Sequence, residues 1–215
     1  MSWLITAKQY IPAVIGEPFG GGYFAGYISH TANGNPTHAL IVAPKANGAT
    51  GTGYTLTTNL AWKTTSTTTA GATSAFDGAA NTAAMVTAGI ADHPAAQFCV
   101  GLTIGGFSDW YLPSRLELEI AYFNLKPGTS SNATAFGGNS YAVPQRPSNY
   151  TTDYPSQTLV TAFNSSTESF STNTHWSSTE GSSTSAWNLN LGTGAQNDFS
   201  KTSAIRVRAF RRIAL

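Results

Sequence analysis

The chain has 215 residues, of which 10% are charged against about 25% in an average domain, and its formal net charge is +1. No global field therefore draws in nucleic acid or an anionic membrane, and 41% hydrophobic and 12% aromatic residues supply a core and exclude disorder. Ser and Thr make up roughly a quarter of the chain beside 21 glycines, a surface chemistry that suits an exposed β-rich protein better than a typical cytosolic enzyme.

Residues 1–30 mix short apolar pieces with Pro12, Pro18 and Gly20-Gly21-Gly22, and read as a strand-and-turn arm for assembly, with the domain proper over 31–215. The glycine run is not a phosphate loop, because Tyr23-Phe24 follows where Gly-Lys-Ser/Thr or a helix is required. Ala39–Ala43 reads as a buried strand closed by Pro44, residues 45–60 as loop, and Thr64–Thr69 as an exposed strand or linker. Asp77 is placed to cap a helix through Ala79–Val86 that Gly89 stops. Cys99, the only cysteine, reads as a buried strand thiol and forms no intrachain disulfide. Ser114-Arg-Leu-Glu117 is a capping box, and Leu116, Ile120 and Phe123 share one face of the helix it opens, which Lys126-Pro127-Gly128 ends. Residues 128–175 read as a long irregular insertion ordered by its Tyr and Phe residues, and 176–215 as short strands.

Three motifs occur in a specific order: Gly105-Gly-Phe-Ser-Asp-Trp-Tyr-Leu-Pro-Ser-Arg-Leu-Glu-Leu118, His175-Trp-Ser-Ser-Thr-Glu180 followed by Ala186-Trp187, and Val207-Arg-Ala-Phe-Arg-Arg212. The set resembles the C-type-lectin-like domains of bacterial adhesins and phage receptor-binding proteins, among them the C-terminal domain of a Legionella collagen-like adhesin, with formylglycine-generating enzymes as fold relatives. The resemblance covers 76–215, and Gly20–Gly26 with His38–Pro44 looks like the version in tailed-phage tail-fibre or tail-tip proteins. It implies an α+β, C-type-lectin-like fold of two helices, small twisted antiparallel sheets and long loops that form a binding face. Within the motifs, Asp109 is expected to receive backbone N–H groups in a turn, with Trp110 in the core. Pro113 would start the helix, Ser114 and Glu117 would cap it, Trp176 and Trp187 would fill the space between sheet and helices, and Glu180 is read as structural.

Catalytic chemistry is not indicated. No Gly-x-Ser-x-Gly elbow or His-Glu-x-x-His helix occurs, and Glu117 and Glu119, two apart on a helix, cannot face one another. The formylglycine-generating relatives use paired cysteines with copper, which Cys99 alone cannot supply. Lectin-type calcium motifs are replaced by Glu17-Pro-Phe19 and Trp187-Asn-Leu189, so neither metal nor cofactor is expected. His30, His38, His93 and His175 read as ordinary hydrogen-bonding residues. Arg206, Arg208, Arg211 and Arg212 read as a closing strand that pairs with acids or packs on aromatics, not as a nucleic-acid patch.

Ligand recognition fits the composition, since rigid aromatics among Ser, Asn and Gly are the mixture paratopes use. The candidate contacts are Tyr150 and Tyr154, then Thr184, Trp187, Asn188 and Asn190, then Asn197 and Asp198. The expectation is a non-enzymatic phage virion protein, a tail-fibre or tail-tip adhesin for a host surface glycan or protein, trimeric and in contact with other virion proteins. The alternative is a structural virion component, a capsid decoration or baseplate protein. A bacterial surface adhesin is disfavoured because Met1–Lys8 lacks a basic stretch leading into a long apolar run. No membrane insertion is expected, as no run approaches the ~18 apolar residues of a spanning helix. The virion protein would be made in the host cytoplasm.

Overall fold

The computed structural model describes residues 11–45, 53–55, 58–164 and 167–215. Among these residues the order is β1 (Pro18–Phe19), β2 (Gly22–Ile28), β3 (His38–Val42), β4 (Leu60–Ala61), α1 (Gly78–Gly89), a 3-10 turn (Ile90–Asp92), α2 (Pro94–Val100), α3 (Arg115–Leu125), β5 (Ala142–Val143), β6 (Thr174–Glu180), β7 (Ser185–Asn190), β8 (Gln196–Ser200), β9 (Ala204–Ile205) and β10 (Phe210–Ala214). The fold is α+β. An antiparallel sheet runs β1-β2-β3-β10 with β5 on β2; β6-β7-β8 form a second sheet and β4-β9 a two-stranded ribbon.

The arm assignment is corrected by the main sheet. β2 pairs with β3 from Tyr23↔Val42 to Ile28↔His38, and Phe24, Ala25 and Ile28 are buried, so residues 18–28 belong to the domain. Sequence-distant pairing, invisible in a local pattern, decides this. Residues 1–10 of the arm, and 46–52 and 56–57 of the predicted 45–60 loop, lie outside the described residues. β2 is bulged between Phe24 and Gly26. Gly26 has φ +128°, and a Cβ there would stand 2.5 Å from Asn124 Nδ2, which donates to Ala25 O at 2.8 Å; the glycine lets α3 lie against the strand.

α1 begins as its sequence indicates, with Asp77 Oδ1 accepting from Ala80 N at 2.8 Å, and it ends at Gly89, φ +112°. Cys99 lies in α2, not in a strand: Pro94 starts that helix with its fixed φ, and Ala95, Ala96 and Cys99 are its buried face. Three helices therefore replace the expected two. In α3 both arms of the capping box form, Glu117 N donating to Ser114 Oγ (3.4 Å) and Ser114 N to Glu117 Oε2 (2.7 Å). The same carboxylate accepts from Gly78 N and the Tyr111 hydroxyl, which ties the starts of α1 and α3 together.

Two cores result. One lies around α3, where Leu118, Ala121, Tyr122 and Leu125 meet Ala25, Ile28, Leu40 and Val42 of the main sheet and Leu189 of β7. The other gathers Trp62, Met85, Cys99, Trp110, Leu112, Trp176 and Val207. Each such large apolar side chain contributes about 1.5–3 kcal/mol by leaving water. Trp110 and Trp176 fill the second core as predicted, but Trp187 does not, because it points to the opposite face of β7 from Ala186 and stays half-exposed. Residues 64–68 form a loop over the Lys63 ammonium, which donates to Thr67 O, Thr68 O and Thr69 Oγ1. The long insertion is held by Lys126, whose ammonium donates to Ser130 O, Asn132 Oδ1 and Pro155 O.

Candidate functional site

The two glutamates of α3 point to different sides, as their spacing requires. Glu117 faces the helix starts. Glu119, fully buried, accepts from Asn139 Nδ2 (2.6 Å) and the Tyr150 hydroxyl (2.5 Å) and pairs with Arg146. Those bonds dock the 139–150 loop on the outer side of α3. Arg146 then lies over the Phe123 ring, 4.1 Å from its centroid, and Tyr154 meets Phe123 edge-on at 5.3 Å. A hollow of about 320 Å³ opens here, lined by Phe123, Arg146, Asn149, Tyr150 and Tyr154.

A second hollow of about 200 Å³ adjoins it at the N-terminal end of α3. Arg115, Phe136, Gly137, Gly138, Trp187 and Gln196 line it, and Asn149 lines both hollows. The Arg115 guanidinium lies 4.4 Å over the Trp187 ring. Gly137, φ +120°, is required because a Cβ would come within 2.4 Å of the Tyr150 ring. The result is one polar and aromatic face running from Trp187 through Asn149 to Tyr154.

The structure brings Tyr154 (59% exposed), Trp187 and the rim of Tyr150 to this face. Tyr150 itself is buried against Glu119, which raises its hydroxyl pKa above the usual range, burial first and the carboxylate second. Asp198 sits opposite Trp187 in the β7–β8 register, its Oδ2 accepting from Ser185 Oγ at 2.8 Å. Thr184, in the β6–β7 turn, and Asn197, on β8, are exposed but line neither hollow. One candidate is corrected, and another is half-buried in a turn. Asn188 is fully buried on the Trp176 face of β7, so it is no surface contact. Asn190 Oδ1 accepts from Gly192 N and Thr193 N, a turn-closing role.

Of the structural motif, Trp110 Nε1 donates to Phe107 O, Trp176 Nε1 to Leu60 O, and Pro113 O accepts from Ser178 N. Glu180 accepts from Thr69 N and pairs with Lys201. Asp109 is corrected: its carboxylate, half-exposed, accepts from Arg211 Nε rather than from turn amides. The closing arginines behave as read. Arg208 pairs with Glu168, Arg211 with Asp109 and Arg212 with Asp77, while Arg206 bonds Ser171. Burial lowers Arg208 to about 10, Glu168 opposing, so it stays cationic at neutral pH.

All four histidines lie below their ordinary range. His175 is pushed down to about 3, mainly by burial; its neutral ring donates from Nδ1 to Asn173 O and accepts at Nε2 from the Tyr54 hydroxyl. His30 falls to about 4 through burial and then Arg212 and His38, which together outweigh Asp77. His38 and His93 are lowered by burial first. Glu117 moves the other way, raised to about 6 by burial against the bonds it accepts. Among the described residues no group of three or more His, Cys, Asp or Glu side chains comes together for a metal ion, and no helix is long and apolar enough to cross a membrane.

Sequence reasoning finds Gln196 within the candidate segment Gln196–Phe199 but misses Phe123, Arg146 and Asn149 as parts of the face, and uses Arg115 only within the capping box. The available signal was that Arg115, at the first position of α3, leaves its side chain outside the helix core. Comparison of the chain with curated proteins finds no match. The sequence model of the Lcl C-terminal domain matches residues 51–211, three quarters of the chain. The chain belongs to the Lcl C-terminal domain family, a membership consistent with an adhesin-like or structural role.

Proposed function

We propose that this chain is a non-enzymatic attachment domain of a phage virion, a tail-fibre or tail-tip adhesin that grips a host surface glycan or protein. The observation that carries the reading is the continuous face in which Asn149 joins the Trp187 hollow to the Tyr154 hollow. Rigid aromatics with amides and hydroxyls between them give contact area at small entropic cost and hydrogen bonds that adapt to a polar ligand. The two acids of α3, Glu117 and Glu119, are engaged on opposite sides of the helix and hold the backbone and loop in place, and Asp198 is engaged by Ser185, which supports binding over hydrolysis. A homotrimer, carried by other virion proteins, would present the face at the particle's periphery. Purified protein should block phage adsorption to host cells, and the Trp187→Ala/Tyr154→Ala double variant, folded as judged by its melt, should lose that block. Undiminished blocking by the double variant would remove the face from the function.

The second reading, a capsid decoration or baseplate protein, is favoured by a separate feature. A wide hollow of about 940 Å³ lies between residues 14–17 and 158–161, with Val14 66% and Leu159 94% exposed at its rim. Exposed apolar side chains clustered this way suit a subunit contact. Hundreds of copies per particle, with the Trp187–Tyr154 face covered by a neighbour, would favour this second reading over the first.

A further inference from the structure

The chain has six arginines, and five of them donate to a carboxylate or a side-chain hydroxyl. Arg115 is the exception. Its guanidinium makes no hydrogen bond or ion pair among the described residues, its Nε is buried without a partner, and it lies over the Trp187 ring. Gln196 lines the same 200 Å³ hollow, is 8% exposed, and its side-chain amide has no partner among the described residues either. The amide of Asn149, at the mouth, is likewise unpartnered. Of the three, Arg115 Nε is buried without a partner, while the amides of Gln196 and of the exposed Asn149 are left open to the hollow; a stacked cation beside two free amides describes a polar site open to a ligand.

We propose that this hollow is a subsite for a carboxylate-bearing sugar, the carboxylate on Arg115 and the ring hydroxyls on Asn149 and Gln196. A guanidinium offers only donors, in a planar fork that matches a carboxylate, and stacking on Trp187 holds the plane of that fork. Amides both donate and accept, as hydroxyls do. No acidic side chain lines the hollow. Asp198, across the β7–β8 register from Trp187, is engaged by Ser185. The space is that of one ring rather than an extended groove, and a peptide end would call for a run of backbone partners that this side-chain lining does not offer. The proposal rests on the attachment reading and names the ligand class of that same face.

Galacturonate and galactose differ at C6 alone, so the pair isolates the carboxylate. Titrated into the full chain, galacturonate should bind at least tenfold more tightly than galactose, and Arg115→Gln should bring the two together. Gly138→Leu should abolish binding of both by filling the hollow; a Cβ there meets nothing nearer than 3.5 Å, so this variant keeps the test open even if Arg115→Gln fails to fold. Equal binding of the two sugars by the native chain would overturn the proposal. So would a galacturonate preference that survives Gly138→Leu, or a short peptide with a free C-terminal carboxylate binding more tightly than galacturonate. Protein that binds host cells but shows no preference between these sugars would sink the subsite and leave the attachment reading standing. Galacturonate preference in protein that does not bind cells would do the reverse.

Discussion

Arg208 and Arg115 carry the same side chain into opposite situations. Arg208 is fully buried among Tyr54, Phe163 and Phe170, its guanidinium donating to Ala43 O, Glu168 O and the Glu168 carboxylate. Arg115 lies over the Trp187 ring, and its guanidinium makes no hydrogen bond or ion pair among the described residues. A cation that closes the fold meets a carboxylate, as Arg208 meets Glu168, whereas Arg115 lies over an aromatic ring with no ion pair among the described residues. The closing strand and the α3 start are thus told apart by their ion pairs, which Arg208, Arg211 and Arg212 make and Arg115 does not, although their residue types are alike.

The largest effect expected from this contrast is on Arg208. Arg208→Ala removes the cation that pairs with the buried Glu168 carboxylate and should cost about 3–5 kcal/mol in chemical denaturation; a loss below about 1 kcal/mol would place Arg208 and Arg115 in one class. Acid comes next. Because the folded state holds His175 near 3 and His30 near 4, the unfolded chain takes up protons first as the pH falls below about 6.5, and stability drops from there down toward pH 3–4. For His175 alone the loss at pH 4 is on the order of 3 kcal/mol. Glu117, raised to about 6, is protonated first in the folded state and partly offsets this between about pH 6 and 4.5. Denaturation midpoints that do not fall between pH 6.5 and 4 would contradict the buried neutral histidines. Ser114→Ala removes one arm of the capping box and should cost about 1 kcal/mol. Smallest is Arg115→Gln, which should change stability by no more than about 0.5 kcal/mol while altering ligand binding; a large loss would make Arg115 another structural cation.

How much of this was legible in the sequence follows the range of each interaction. The α3 start was readable because Ser114 and Glu117 are three residues apart and answer each other. Asp77 and Gly89 bounded α1 for the same reason. α2 was not readable: a short apolar run around Cys99 fits a strand or a helix, and the deciding signal, Pro94 at the first turn, is a single residue. β2 reads as part of an arm in the sequence because its partners in β3 and β5 are remote along the chain. The arginines of the closing strand were legible in kind, as residues that pair or pack, but Glu168, Asp109 and Asp77 could not be named as partners without the fold. At the site, Tyr154 and Trp187 were found by residue type, whereas the burial of Asn188 followed from its side of β7. Gln196 lies in the candidate segment 196–199, whereas Asn149 gains meaning only where the 135–150 loop closes over α3.

The face from Trp187 to Tyr154 carries the attachment reading. Saturation binding of labelled protein to host cells, native beside the Trp187→Ala/Tyr154→Ala variant at matched melting temperature, tests it most directly. The expected result is saturable binding by the native chain and at least tenfold weaker binding by the variant. Equal binding curves for the two proteins would contradict it.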